Sequence, residues 1–183
     1  MAVHPDLKSL LHEPLPEYLA VAEYCVAFRK PTDWGQNQVG GCFGYPAALL
    51  LFSIADTIGS FHRGLGTPTI KVGPKTTTIS KDGFQHFYIL NSEYYGQSLD
   101  EPTIKGLYDN FRSLLAHNAA VAPAHFLVNW PHKAEPFPMV NSRPGVNVSS
   151  FLAVSRKAIR LFLAQLDQLL PTSQQARNIG LKQ

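Results

Sequence analysis

The stretch Tyr45–His62, YPAALLLFSIADTIGSFH, constrains the fold more than any other part of the chain. It is apolar nearly all round a helix, and such a helix is buried on every side, as at the centre of a bundle. Its polar residues fall in one narrow stripe, with Ser53, Asp56, Thr57 and Ser60 at i, i+3, i+4 and i+7. Asp56 is its only formal charge. A buried carboxylate left unpaired costs several kcal/mol, so the sequence calls for a partner. Arg112, a tyrosine hydroxyl and a backbone cap all qualify.

Other helices can be read around this one. Pro16–Arg29 has an apolar face of Leu15, Tyr18, Leu19, Ala22 and Val26, with Pro16 in its first turn. Glu101–His117 has the cleanest pattern, Ile104, Leu107, Tyr108, Phe111, Leu114 and Leu115 lying on one side. Val148–Leu170 follows a cap at Asn147, buries Phe151, Leu152, Ile159, Phe162, Leu166 and Leu169, and ends at Pro171. Phe84–Tyr95 has helical spacing behind a cap at Asp82, with a strand over Phe84–Leu90 as the competing reading. The Gly-, Pro- and Thr-rich residues 63–83 read as an irregular excursion with a short strand. The proline-broken residues 125–146 read as a hairpin or ordered loop, with strands near Phe126–Trp130 and Phe137–Asn141. The expected fold is all-α, an antiparallel four- to five-helix bundle with small irregular or β-hairpin insertions. Residues 1–15 form a leader with one helical turn at Asp6–Leu11. Residues 16–170 form a single helical domain, and 171–183 a flexible C-terminal tail.

Composition narrows the function classes. With 45% hydrophobic and 16% charged residues among 183, the chain can build a core and leave apolar surface for a partner. A net charge of +3 permits nucleic-acid binding without arguing for it. Cys25 and Cys42 lack metal-ligand spacing and read as reduced packing thiols. His86, His125 and His132 match no zinc pattern, and neither metal nor cofactor is expected. The N-terminus lacks the basic and apolar regions of a signal peptide, and Tyr45–Ile58 is short for a bilayer. The expected location is the cytoplasm, with no membrane association. GGCFG (40–44) enters a helix and could hold a phosphate on backbone N–H groups, but it lacks a P-loop lysine, so tight packing is the competing reading. Trp34, Trp130 and Phe137 suit either base stacking or core cover. Arg156, Lys157 and Arg160 read as a solvated helix face.

FRSLLAHN (111–118) holds the residues most suggestive of chemistry. Arg112 and His117 are five positions apart, about 140° round a regular helix, so they share no face unless the helix ends or bends there. Pro123 makes an end near His117 reasonable. Cations at a helix C-terminus also have a purely structural use, complementing the dipole and capping the last carbonyls. Asn91 and Asn118 suit caps or turns.

LYDNFRSLLAHNA, with an aromatic residue just before the arginine and a histidine late in the same helix, resembles the signature helix of the HEPN superfamily (higher eukaryotes and prokaryotes nucleotide-binding). The resemblance covers roughly residues 16–118 and leaves the two insertions unexplained. It implies an all-α bundle that forms a homodimer, with two Arg–His motifs lining one cleft. Many such proteins are metal-independent endoribonucleases of toxin or defence type. Others are non-catalytic modules that bind RNA or protein, and an antitoxin or other protein partner is possible. Carried over by position, Arg112 would hold the scissile phosphate and His117 would exchange a proton with the 2′-OH or the leaving 5′-oxygen. Asp56 would orient Arg112, with Tyr108, Ser113 and Asn118 in support. Active relatives usually carry Asn, Asp or His after the arginine, and this chain has Ser113.

Overall fold

The computed structural model describes residues 4–31, 41–64, 69–72, 75–79, 83–130 and 134–180. Asp82, Trp34 and His132 lie outside them. The chain is mostly helical, with two small sheets.

A short α1 (Leu7–Leu11) is capped by Asp6, whose carboxylate accepts from the Ser9 N–H at 2.7 Å. The chain then enters α2 (Pro14–Ala27) directly through Pro14, where a missing N–H costs nothing. Leu15, Ala22, Cys25 and Val26 face inward. Tyr18, expected on the inner face, is exposed together with Val21 and Tyr24. By angle Tyr18 shares the side of Ala22 and Cys25, but it stands a turn nearer the start of the helix and is left uncovered there.

Helix α3 (Gly44–Phe61) is the centre of the molecule. Ala47, Ala48, Leu51, Phe52, Ile54, Ala55 and Ile58 are sealed from solvent between α2, the segment Gly83–Asn91 and α6 (Val148–Leu169). By length and composition α3 is also apolar enough to cross a membrane, and half of it is buried inside the fold. Phe52 is the hub of an aromatic cluster, with Phe87, Phe151 and Phe137 at centroid distances of 5.5, 5.0 and 6.4 Å. Phe137 therefore covers core.

The excursion after α3 is an antiparallel hairpin of β1 (Thr69–Val72) and β2 (Lys75–Thr78). Gly83–Asn91, expected as part of an α-helix or a strand, winds as a 3₁₀ helix that buries His86, Phe87, Ile89, Leu90 and Asn91. It is unusually long for 3₁₀ geometry. It is held by packing: Gly59 of α3 sits so close to it that a methyl group there would lie 2.7 Å from the His86 carbonyl carbon and closer to its oxygen. The Asn91 side chain closes the next loop by exchanging hydrogen bonds with the backbone of Leu99 at 2.6 and 2.8 Å.

The helix from Glu101 is also not uniform. α4 (Glu101–Leu107), capped by Asp100 on the Thr103 N–H, gives way to a π turn over Tyr108–Ser113 and then to α5 (Leu114–Asn118). Ala119 stops it in the left-handed conformation at φ 51°. The helix thus both changes pitch and ends near His117.

Three strands form a mixed sheet in the order β3 (Phe126–Val128), β5 (Arg143–Asn147), β4 (Met139–Val140). The hairpin joins β4 to β5 through Asn141 and Ser142, both at positive φ as a two-residue primed turn requires. β3, expected as a hairpin partner, pairs with β5 in parallel. A side chain at Gly145 would collide with the Phe126 ring, so glycine sets this pairing. Asn147 precedes α6 without capping it by its side chain. Its Oδ1 accepts from the Trp130 N–H at 3.2 Å and its Nδ2 donates to Ser150 at 2.9 Å, tying the sheet to the helix. Beyond α6, where the sequence suggests a flexible tail, α7 (Gln174–Gly180) folds back with Ala176 buried. The backbone of Ser173 bridges to Gly64, and Gln174 donates to the Arg63 carbonyl.

Candidate functional site

Asp56 projects from the middle of α3 toward two other elements. Its Oδ2 lies 2.6 Å from Nη2 of Arg112, in the π turn, and its Oδ1 lies 2.8 Å from Nδ1 of His86, in the 3₁₀ segment. The two serines of the stripe do not compete for it. Ser53 and Ser60 donate back to the Leu49 and Thr57 carbonyls of their own helix. Each carboxylate oxygen therefore has its own charged or chargeable partner, as a largely buried acid needs.

The cluster is shielded but not sealed. The side chains of His86, Asp56 and Arg112 are 11, 18 and 27% exposed, so the arginine is the member most open to a ligand. Tyr108, one turn before Arg112, places its ring 5.8 Å from the guanidinium carbon and stands edge-on to Phe87 at 5.5 Å. The π turn carries both residues, a geometry that is frequent at functional sites. The Nε of Arg112 is buried without a hydrogen-bond partner among the described residues.

The structure thus brings together Asp56, Arg112 and Tyr108 from the residues singled out in the sequence, and adds His86. It does not join His117 to them. His117 is exposed at the end of α5 and makes no hydrogen bond or ion pair among the described residues, and Asn118 beside it is likewise exposed. Ser113 is half-buried. Sequence spacing offered His86 only as a metal ligand to be set aside. The signal that could have found it was Asp56 itself, a buried acid needing donors, beside a lone histidine in the apolar run FQHFYIL. His125 has a different setting, its ring edge-on to Phe111 at 5.3 Å and its Nδ1 bonded to the Pro123 carbonyl. No three His, Cys, Asp or Glu side chains among the described residues are grouped to hold a metal.

No family model, curated protein or solved structure matches the chain. The geometry therefore has to carry the functional argument alone.

Two further features bear on that argument. The N-terminus of α3 opens on a cavity of about 340 Å³ lined by Lys30, Cys42, Gly44, Tyr45, Asn129 and Val148, while Phe43 of the glycine-rich run stacks on Phe28 at 4.2 Å. Burial pushes the thiols of Cys25 and Cys42 up from their ordinary range, which keeps both protonated and unreactive near neutrality. On α6, Arg156 reaches Glu23 of α2 at 2.6 Å, and Lys157 and Arg160 are solvated.

Proposed function

We propose that the protein is a metal-independent endoribonuclease of HEPN-like, toxin or defence type, working as a homodimer in the cytoplasm. The observation that carries this reading is the Asp56–Arg112 pair. An acid on the central helix fixes one edge of a partly open arginine, which stands in an irregular turn just before an exposed histidine. On this reading α2, α3, the rod α4–α5 and α6 are the four helices of an antiparallel bundle.

Arg112 holds the non-bridging oxygens of the scissile phosphate, and its fork geometry suits that task. His117 takes the proton of the ribose 2′-OH as the 2′-oxygen attacks phosphorus, or delivers a proton to the departing 5′-oxygen. The P–O5′ bond breaks and a 2′,3′-cyclic phosphate is left, with no metal or water in the bond-forming step. Arg112 faces inward and His117 outward, so a second copy supplies the complementary group across the cleft. The exposed residues Tyr18, Val21 and Tyr24 on α2 give a second copy apolar surface to cover.

The test is cleavage of a mixed RNA pool in EDTA by wild type, Arg112→Lys and His117→Ala, with analysis of fragment ends. Wild type is expected to leave cyclic phosphates. His117→Ala is expected to abolish cleavage while changing stability by less than about 0.5 kcal/mol, because the side chain is exposed and unbonded. Equal cleavage by wild type and His117→Ala would sink the catalytic assignment.

A second reading is favoured by Ser113, which departs from the pattern of active relatives, and by the ion pair with Asp56, which gives Arg112 a structural role. In it, the chain is a non-catalytic helical dimerisation module that binds RNA or a protein such as an antitoxin. No cleavage by wild type, with the Asp56–Arg112 pair still required for folding, is the outcome that selects it.

A further inference from the structure

The geometry points to His86 as the positioning residue of the Arg112 site, acting through Asp56. This rests on the reading that Arg112 receives an anionic phosphate.

A carboxylate only accepts hydrogen bonds, so the contact between Asp56 Oδ1 and His86 Nδ1 fixes a proton on Nδ1. The carboxylate of Asp56 can rotate about its last torsion. Arg112 alone, engaged at Oδ2 through one nitrogen, would not stop that rotation. His86 engages the other oxygen, and two partners on two oxygens fix the carboxylate plane. His86 is itself held, because its backbone carbonyl packs against Gly59 with no room for a methyl group between them. Position therefore passes from the α3–3₁₀ contact to His86, from His86 to Asp56, and from Asp56 to Nη2 of Arg112.

The same geometry excludes His86 from proton transfer. Its Nε2 is out of contact with solvent and its Nδ1 is committed to Asp56, so neither ring nitrogen is offered to a substrate. Arg112 presents what remains. Its Nε is buried and Nη2 is turned to Asp56, which leaves Nη1 as the open edge of a side chain 27% exposed. Bidentate recognition of a phosphate depends on where that edge points, so an untethered carboxylate would cost affinity even with Arg112 and Asp56 both present.

The experiment compares the full chain as wild type, His86→Asn and His86→Ala. The readouts are the ¹⁵N side-chain signals of Arg112 and a titration with inorganic phosphate. The amide nitrogen of asparagine stands where Nδ1 of histidine stood, so His86→Asn is expected to keep both the slow guanidinium rotation and the phosphate affinity. His86→Ala is expected to lose about tenfold in affinity, the factor for one charge-assisted hydrogen bond, and to free the Arg112 rotation. If the alanine variant does not fold, His86→Gln takes its place, since its amide nitrogen reaches the Nε2 position instead. Unchanged Arg112 signals in His86→Ala, or an asparagine variant as impaired as alanine, would overturn the positioning role. Wild type that takes no phosphate at Arg112 would sink the phosphate reading instead, and the Arg112 signals of the same proteins would still decide whether His86 holds the arginine.

Discussion

His86 meets α3 through a carboxylate, whereas His62, at the C-terminal end of the same helix, meets only neutral groups. His62 Nε2 lies 3.0 Å from the Tyr94 hydroxyl, and that hydroxyl spends its one proton on Oε1 of Gln165, so the histidine is the donor. Gln165 in turn donates to Glu93, so that carboxylate is three hydrogen bonds away from the histidine. Burial pushes His62 down to about 4, with Glu93 opposing only in part. His86 belongs to the 3₁₀ segment and reaches Asp56 on α3, while His62 ends α3 and reaches Tyr94 just beyond the 3₁₀ segment. One is built into a charge network that reaches a partly open arginine, and the other into a neutral network that closes the core. The difference is one of compensation: the Asp56 cluster needs partners for its charges, and the His62 network needs none.

The largest effect should come from Gly59, where the first network is anchored. Gly59→Ala places a methyl group against the His86 carbonyl, a backbone atom that cannot rotate away. Overpacking against a fixed wall is expected to cost about 3 kcal/mol, read as a lower urea midpoint. A cost under about 1 kcal/mol would mean that the 3₁₀ segment can slide off α3.

Next is Asp56→Asn, which keeps the shape and removes the charge. Arg112 is left without its counter-charge, and the one amide oxygen can accept from Arg112 or from His86 while the amide NH2 faces the other donor. Breaking a fully buried pair costs roughly 3–5 kcal/mol, and the partial exposure of these side chains reduces that to about 2 kcal/mol. His62→Gln at pH 7 should cost less than half as much, because an amide can donate to Tyr94 in its place. If the two substitutions cost the same, the contrast between a charged and a neutral network fails.

Half of this contrast is legible in the sequence. Asp56 stands out because it is a lone charge in an apolar helix with few possible partners, and Arg112 because it is a cation on the margin of another apolar helix. Helix α3 is legible because it is apolar nearly all round, and α6 because its apolar positions recur at helical spacing over more than five turns. His86 is hidden because it lies 30 residues from Asp56 on an element whose aromatic run suits any helix or a strand. Tertiary packing against Gly59, not periodicity, selects the 3₁₀ winding. The π turn is hidden as well, since YDNFRS has nothing in its composition to mark an extra residue per turn. The parallel pairing of β3 with β5 depends on a contact between Gly145 and Phe126 across a long connection, which local pattern does not record.

The last effect expected is the acid sensitivity of the neutral network. His62 binds a proton in the unfolded chain below about 6.5 but resists it in the folded state until about 4. Between those values the unfolded state holds more protons, so stability falls as pH falls, is complete above the unfolded value, and levels off below about pH 4. The shift corresponds to roughly 3 kcal/mol at most, and the part of the ring that still meets solvent brings it to about 2 kcal/mol or less. The capping carboxyls Asp6 and Asp100 are held below their ordinary value by the backbone N–H and side-chain groups of Ser9 and Thr103, so their contribution is lost only at more acid pH. Urea unfolding at pH 7, 5.5 and 4.5 should therefore show a slope in wild type that flattens in His62→Gln. An equal slope in both proteins would place the acid-sensitive group elsewhere, and the neutral network would lose its claim to be the part of the core that excludes a proton.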